Sequence, residues 1–147
     1  MKISRAIFYI AGMLLLMPLA QAASWQTERP TAMYDAPSQQ AKPLLILSGR
    51  HPLVELSKVH GWHKVTTYQG ETGWVASDML QAARSVVVVA DRAAVRVDPH
   101  AAAAAIFFAR RGVVLDVLSE DAQGWLKVVH QDGDVGYIQL SDSWKNF

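Results

Sequence analysis

The sequence contains no cysteine. Disulfide bonds are therefore excluded, and so are a thiol nucleophile and a lipid-modified N-terminus, which needs a cysteine at its cleavage point. Hydrophobic burial and strand pairing must stabilise the fold. The Gly-x-Ser-x-Gly elbow of serine hydrolases and the His-Glu-x-x-His helix of metalloproteases are also missing. These absences argue against an enzyme, and we predict a non-catalytic protein without a cofactor.

The chain also lacks an excess of charge of either sign. It has 14 Lys and Arg residues against 13 Asp and Glu residues, for a formal net charge of +1 at pH 7. No run of basic residues stands out along the 147 positions. A nucleic-acid-binding protein needs a basic patch to contact phosphates, so a nucleic-acid partner is not expected.

Long hydrophobic runs are absent as well. The longest, from Ile7 to Leu19, has 13 residues, too few for a helix to cross a hydrocarbon layer of about 30 Å. It follows the basic Lys2 and Arg5 and precedes Ala20-Gln21-Ala22, which is the pattern of a secretory signal peptide. We expect cleavage after Ala22 and an exported protein, periplasmic or secreted, with no stable membrane insertion. A retained membrane anchor is the alternative.

What the chain does contain is an internal repeat. The segments GWHKVTTYQGETGWV and GWLKVVHQDGDVGYI begin at Gly61 and Gly124, an offset of 63 residues. Upstream, Pro37 matches Pro99 at an offset of 62, so a small insertion or deletion lies in a loop between. A repeat over most of the chain indicates two copies of one structural unit. We predict a signal peptide over 1–22, a first domain over 23–81 and a second over 82–147.

Each unit reads as short β-strands. In GWLKVV, Leu126 and Val128 point to one side and Trp125 and Lys127 to the other, because side chains alternate along a strand. The glycines in TYQGETG and HQDGDVG suit tight hairpins with positive φ. Val86–Val89 is expected to be the first strand of the second unit, buried on both sides or between units. About five short strands separated by close turns favour a small β-barrel.

One segment conflicts with this interpretation. HAAAAAIFFARRG, from His100 to Gly112, has strong intrinsic helix propensity. Its counterpart in the first unit contains Pro43 in its middle, where a helix would break. Since both copies should share one fold, we predict a loop followed by a strand in each, at 44–47 and 106–109. A helical turn around 101–104 is the alternative.

Four segments of the second copy resemble bacterial SH3-like domains. They are Ala94–Pro99, Gly112–Leu118, Gly124–Val128 and Gly133–Ile138. The first copy departs from this pattern with Met33-Tyr34 in place of Val-Arg and with Pro52 in the middle strand region. The resemblance implies an all-β protein of two tandem SH3-like barrels with about five strands each. It further implies binding of cell-wall or peptide ligands in the cell envelope, without catalysis.

The alternation of the strands selects candidate ligand-binding residues. If Val65, Val75, Val128 and Ile138 face the interior, the aromatic residues beside them face outward, and flat outward rings suit a binding surface. SH3 domains, which the units resemble, hold extended proline-rich peptides with such rings. The candidates are Tyr34, Trp62, Trp74, Trp125 and Tyr137. The leading function is binding of peptidoglycan or of an extended peptide segment of an envelope protein.

Two alternatives remain open at this point. The same rings are equally suited to covering barrel edges or packing one unit on the other. In that case the protein is a structural or interaction protein that docks one dedicated envelope protein. Trp25, Trp144 and Phe147 are expected to pack as closing flaps at either end of the tandem. An envelope hydrolase is the third reading, which the missing nucleophile and metal motifs disfavour.

Three histidines of the first unit raise the question of a metal site. His60 and His63 flank Gly61-Trp62 but point to opposite sides of a strand, which is poor geometry for joint ligation. Neither they nor His51 have a counterpart in the second copy. We therefore predict solvated or locally hydrogen-bonded histidines and no metal site.

Overall fold

The computed structural model describes residues 23–147, which form an all-β structure with two antiparallel sheets. The predicted signal peptide lies outside the described residues. The strands of the first sheet are β1 (Ser24–Thr27), β2 (Thr31–Tyr34), β3 (Pro43–Leu47), β4 (Pro52–Val59), β5 (Trp62–Thr66), β6 (Thr72–Ala76) and β7 (Leu80–Ala82). Those of the second are β8 (Ser85–Val88), β9 (Arg92–Arg96), β10 (Ala105–Arg110), β11 (Val114–Glu120), β12 (Trp125–Val129), β13 (Val135–Gln139) and β14 (Ser143–Lys145). Short 3-10 turns at Ser77–Met79 and Leu140–Asp142 precede the last strand of each sheet. In the part of the chain described, no helix is long and apolar enough to span a membrane.

The two sheets have the same order of strands. It is β3-β2-β6-β5-β4-β1-β7 in the first and β10-β9-β13-β12-β11-β8-β14 in the second. We refer to the two sheets with their loops as the first and second units. The repeat in the sequence thus corresponds to a repeat in the topology.

The single-residue shift between the copies lies in one hairpin turn. In the first unit Lys58 pairs with His63, and four residues separate them. In the second unit Glu120 pairs with Leu126, and five residues separate them. Asp121 organises this longer turn, because its Oδ1 accepts hydrogen bonds from the amides of Gln123 and Trp125, both at 2.9 Å. The strands on either side keep their pairing.

Alternation along the strands places the predicted residues inside. Val65, Val75, Val128 and Ile138 are all fully buried, which confirms the prediction. Each unit has its own apolar core, as a small domain requires. Leu115 and Leu126 join the second core. Burial of a side chain of this size stabilises the folded state by about 1.5–3 kcal/mol.

The prediction of closed barrels with five strands is wrong in two respects. Each sheet has seven strands, and its outermost strands do not pair with each other. The short strands β1, β7 and β14 have three or four residues each, too few for alternation to identify them. The first sheet nevertheless curls around its core, because Leu47 of β3 and Leu80 of β7, at opposite edges, join the same buried cluster.

Glycine is required where β6 crosses β2 and where β13 crosses β9. A Cβ at Gly136 would lie 2.6 Å from Val95 Cγ1 and 2.8 Å from the Arg96 carbonyl oxygen. A Cβ at Gly73 would lie 2.6 Å from Met33 Cγ and 2.8 Å from the Tyr34 carbonyl oxygen. The repeated glycine therefore permits close approach of two strands. The hairpin turns use Gly70 and Gly133 with φ of 90° and 95°, as predicted.

The alanine-rich segment forms a loop and then a strand. Residues 97–104 make turns, and β10 begins at Ala105. The equivalent strand of the first unit, β3, begins at Pro43. This outcome confirms the loop-strand prediction, since pairing of β10 with β9 outweighs the helix propensity of alanine.

The two units meet at a polar junction. Arg50 Nη2 of the first unit lies 2.7 Å from Asp116 Oδ2 of the second. Asn146 is fully buried. Its Nδ2 donates to the carbonyl oxygens of Trp25 and Ala83 at 2.9 and 3.0 Å, and its Oδ1 accepts from the amide of Ser85 at 2.9 Å.

The expectation that the terminal aromatic residues close opposite ends of the tandem is wrong. Trp144 approaches Tyr68 of the first unit, with 6.5 Å between ring centroids. The guanidinium carbon of Arg84, which lies in the segment between β7 and β8, is 4.0 Å from the centroid of the Phe147 ring. Trp25 is joined to Asn146 through its carbonyl group. All three lie near the junction because β1 and β14 are neighbours of the strands that connect the units.

Candidate functional site

Three of the five candidate aromatic residues lie together on the outside of the first unit. The rings of Tyr34 and Trp62 are nearly perpendicular, at 87°, with 5.7 Å between their centroids. Tyr34 also pairs directly with Trp74 across β2 and β6. All three side chains are partly exposed and none belongs to the buried core cluster. We call Tyr34, Trp62 and Trp74 the aromatic surface.

The strands fix the geometry of this surface. Trp62 begins β5 and Trp74 lies in the middle of β6, and the two strands pair so that Lys64 stands opposite Trp74. Edge-to-face contact between rings is the arrangement that the charge distribution of aromatic rings favours. The surface therefore offers flat apolar faces in a fixed position, with one ammonium group on the same side of the sheet.

The second unit does not form an equivalent surface. Arg96 pairs with Tyr137 where Tyr34 pairs with Trp74, and its Nη1 donates to the Ala103 carbonyl oxygen at 2.7 Å. Tyr137 is partly exposed, but Trp125 is only 8% exposed. The prediction that Trp125 presents an open outward ring is therefore wrong. Alternation gives the direction of a side chain but not the neighbours that cover it.

Trp125 still borders a shallow depression of about 420 Å³. Its other walls are Gln123, Gly124, Gln139, Leu140 and Ser141. These groups offer amide and hydroxyl contacts and little ring surface. The two units therefore differ in the chemistry of their outer faces at equivalent positions.

A partly buried polar cluster in the first unit was not predicted from the sequence. His63 is 2% exposed, and its Nδ1 lies 2.5 Å from Glu55 Oε2. The same carboxylate oxygen accepts a hydrogen bond from Trp25 Nε1 at 2.9 Å. The rings of Trp25 and His63 meet edge to face at 4.8 Å. We call these three residues the Trp-Glu-His cluster.

The second unit has apolar residues at the three equivalent positions. The strand pairings align Trp25 with Val86, Glu55 with Val117 and His63 with Leu126. Comparison of the two copies could have found the cluster, since all three positions change from apolar to polar together. His63 is buried and Glu55 and Trp25 are only partly exposed, so the cluster contributes to the structure of the first unit rather than to a ligand surface.

The other two histidines of the first unit, His51 and His60, lie outside this cluster. His60 is exposed in the β4–β5 turn. Burial lowers the pKa of His51 from its usual value of 6.5, and the charge of Glu71 opposes this change. Within residues 23–147 no three His, Cys, Asp or Glu side chains are grouped closely enough to hold a metal ion.

Comparisons with known proteins add the following. A family model described as "Bacterial SH3 domain" matches residues 89–145. No curated protein matches the sequence. Among solved structures, the NlpC2 protein of Trichomonas vaginalis is similar at 15% identity and a TM-score of 0.39, over 84% of this chain and 48% of that one.

Two further structures are similar over the same share of this chain. The NlpC1 protein of Trichomonas vaginalis has 13% identity and a TM-score of 0.40, with 45% of its length covered. An NlpC/P60 family protein of Bacillus cereus has 13% identity and a TM-score of 0.40, with 56% of its length covered. The chain spans about half the length of these proteins. The range matched by the bacterial SH3 domain model contains the strands β9 to β14.

Proposed function

We propose that this protein is a non-catalytic binding module of the cell envelope. In this proposal its aromatic surface holds an extended segment of peptidoglycan or of an envelope peptide. The observation that carries the proposal is the fixed, half-exposed arrangement of Tyr34, Trp62 and Trp74 on one side of the first sheet. Rigid aromatic rings contribute large contact areas and lose little conformational entropy on binding.

The family assignment supports the cellular setting. Bacterial SH3 domains are typical of extracellular and envelope proteins, and one covers residues 89–145. We propose that the first unit is a second, diverged copy, because its strand order and pairing match those of the matched unit. Export through the signal peptide over residues 1–22 and cleavage after Ala22 are part of the same proposal.

Co-sedimentation of the purified protein with isolated cell-wall sacculi tests the function. We expect the protein to pellet with the wall, and Trp62→Ala to weaken binding by about 30-fold, as for a central aromatic contact. Tyr137→Ala is the matched control from the second unit and should bind like the wild type. Circular dichroism establishes that each variant is folded.

Two results would oppose this proposal. If the wild-type protein stays in the supernatant, wall binding is excluded, and the extended peptide of an envelope protein becomes the ligand to seek. If Trp62→Ala and Tyr137→Ala weaken binding equally, the wall is bound by some other surface.

A second candidate is an interaction protein that docks one dedicated envelope protein. The junction favours it, because Asn146 is hydrogen-bonded to both units and Arg50 pairs with Asp116 across them. Acrylamide quenching of tryptophan fluorescence separates the candidates. A ligand-binding aromatic surface requires Trp62 and Trp74 to be quenched readily, and shielding of both would favour the second candidate.

A further inference from the structure

The second unit has two adjoining depressions along its edge strand β10. One, of about 410 Å³, is lined by Asp91, Arg92, Phe108 and Arg110. The other, of about 210 Å³, lies between β10 and the β12–β13 hairpin. Phe108 lines both and is 52% exposed. One aromatic ring therefore separates two neighbouring places where a ligand can be held.

The smaller depression combines apolar walls with carboxylates. Phe107, Phe108 and Val113 provide the walls, and Asp132 and Asp134 of the hairpin provide the carboxylates. Such a place suits an ammonium group on an aliphatic stem, because the stem packs on the rings while the ammonium group meets the carboxylates.

His130 ties the hairpin to the strand at this point. Its ring lies 5.7 Å from that of Phe107. Its Nδ1 lies 3.0 Å from Asp132 Oδ2. The carboxylate of Asp132 is therefore paired with a side chain that also contacts the apolar walls.

The larger depression has the opposite charge. Asp91 is engaged by Arg111, whose Nε and Nη2 donate to its Oδ1 at 3.2 and 3.0 Å. This pairing leaves the guanidinium groups of Arg92 and Arg110 to set the charge of the depression. The guanidinium carbon of Arg92 lies over the Phe108 ring, 3.7 Å from its centroid, which is a cation–π contact. Guanidinium groups in this arrangement suit a carboxylate.

We propose that the second unit binds, across Phe108, a peptide that carries both an ammonium group and a carboxylate group. The ammonium group lies at Asp132 and Asp134, and the carboxylate group lies at Arg92 and Arg110. This site is distinct from the aromatic surface, which lies in the first unit, so either can exist without the other.

The first unit lacks this combination of charges. The repeat places Ile46 at the position of Phe108. Uncharged residues also replace three charged ones: Pro30 stands for Arg92, Ser48 for Arg110 and Gln69 for Asp132. Glu71, at the position of Asp134, is hydrogen-bonded to the hydroxyl group of Thr67. The comparison therefore assigns the site to the second unit alone. It also supplies Ile46→Ala as a matched control for Phe108→Ala.

A titration followed by amide NMR tests the proposal with the purified protein. The probes are short capped peptides that contain one lysine and one glutamate separated by one, two or three alanines. We expect the best of them to shift the amides of 105–113 and 130–135. Acetylating its lysine should raise the Kd about tenfold, as loss of a charged hydrogen bond does, and replacing its glutamate by glutamine should do the same.

The variants assign each charge to its depression. The double variant Asp132→Asn/Asp134→Asn should raise the Kd about tenfold, and acetylating the peptide's lysine should then change the Kd no further. In Arg110→Gln, replacing the peptide's glutamate by glutamine should no longer change the Kd. Phe108→Ala should weaken the contacts of both the lysine and the glutamate. Ile46→Ala and Asp98→Asn should bind the peptide like the wild type. Since every substituted position is exposed, these variants should fold normally. The proposal is overturned if no probe binds, if the neutralised peptides bind equally well, or if the shifts fall on the aromatic surface instead.

Discussion

Replacing Asn146 with alanine tests how strongly the junction holds the two units together. The side chain is fully buried and makes three hydrogen bonds, to Trp25, Ala83 and Ser85, of 2.9 to 3.0 Å. Each bond contributes about 1 kcal/mol, and a buried partner left without a hydrogen bond adds a further cost. We expect Asn146→Ala to reduce the free energy of unfolding by about 3–5 kcal/mol.

Urea unfolding, followed by tryptophan fluorescence and circular dichroism, measures this loss. The control is Lys145→Ala, one position earlier, whose half-exposed ammonium group contacts Glu120 at 3.1 Å. That exposed pair should be worth less than about 1 kcal/mol. A loss for Asn146→Ala no larger than that of the control would refute the reasoning, because the three buried bonds would then contribute almost nothing.

Three further predictions concern stability. A double-mutant cycle of Glu55→Gln and His63→Leu should give a coupling energy of about 1–3 kcal/mol, since both residues belong to one hydrogen-bonded cluster. The wild-type protein should lose stability as pH falls below 6.5, because the lowered pKa of His51 keeps it neutral in the folded state while the unfolded chain takes up a proton. Unfolding at pH 7.5 and 5.5 should differ less in His51→Gln. Gly136→Ala should destabilise the protein by about 1–3 kcal/mol through the close approach to Val95, as measured by urea unfolding.

Each of these predictions has a control and an outcome that opposes it. For the cycle, the exposed Glu120 and Lys145 should couple by less than about 1 kcal/mol, and equal coupling in both cycles would contradict a special role for the cluster. An unchanged pH dependence in His51→Gln would exclude His51 as its source. Gly49→Ala, where the added Cβ stays 3.5 Å from Pro30 Cδ, should cost little, and an equal cost at both glycines would show that crowding is not the cause.

The sequence predicted which side chains face the core, because side chains alternate along a strand. Val65 and Val128 were placed inside because alternate residues of a strand face opposite sides, and both are buried. The same rule gave the outward direction of Trp62 and Trp74. The repeat gave the presence of two equivalent units before any strand was located.

Features that depend on residues distant in the chain were not predicted. Trp125 faces outward but is covered, and alternation carries no information on what lies over a side chain. Glu55 and His63 meet because β4 pairs with β5, and Trp25 reaches them because β1 pairs with β4. The junction at Asn146 depends on how two units are set against each other, which no local pattern specifies.

The unpaired edges of the two sheets affect how the protein behaves at high concentration. On β3 and β10, equivalent positions carry exposed apolar side chains, and Ile46 is 69% exposed. An edge of this kind is a template for a strand from another molecule, and natural proteins guard such edges with proline, charge or short length. Pro43 begins β3, and the Arg92 guanidinium covers the ring of Phe108 on β10. Loss of that guanidinium would therefore favour self-association, so the arginine protects solubility as well as setting local charge.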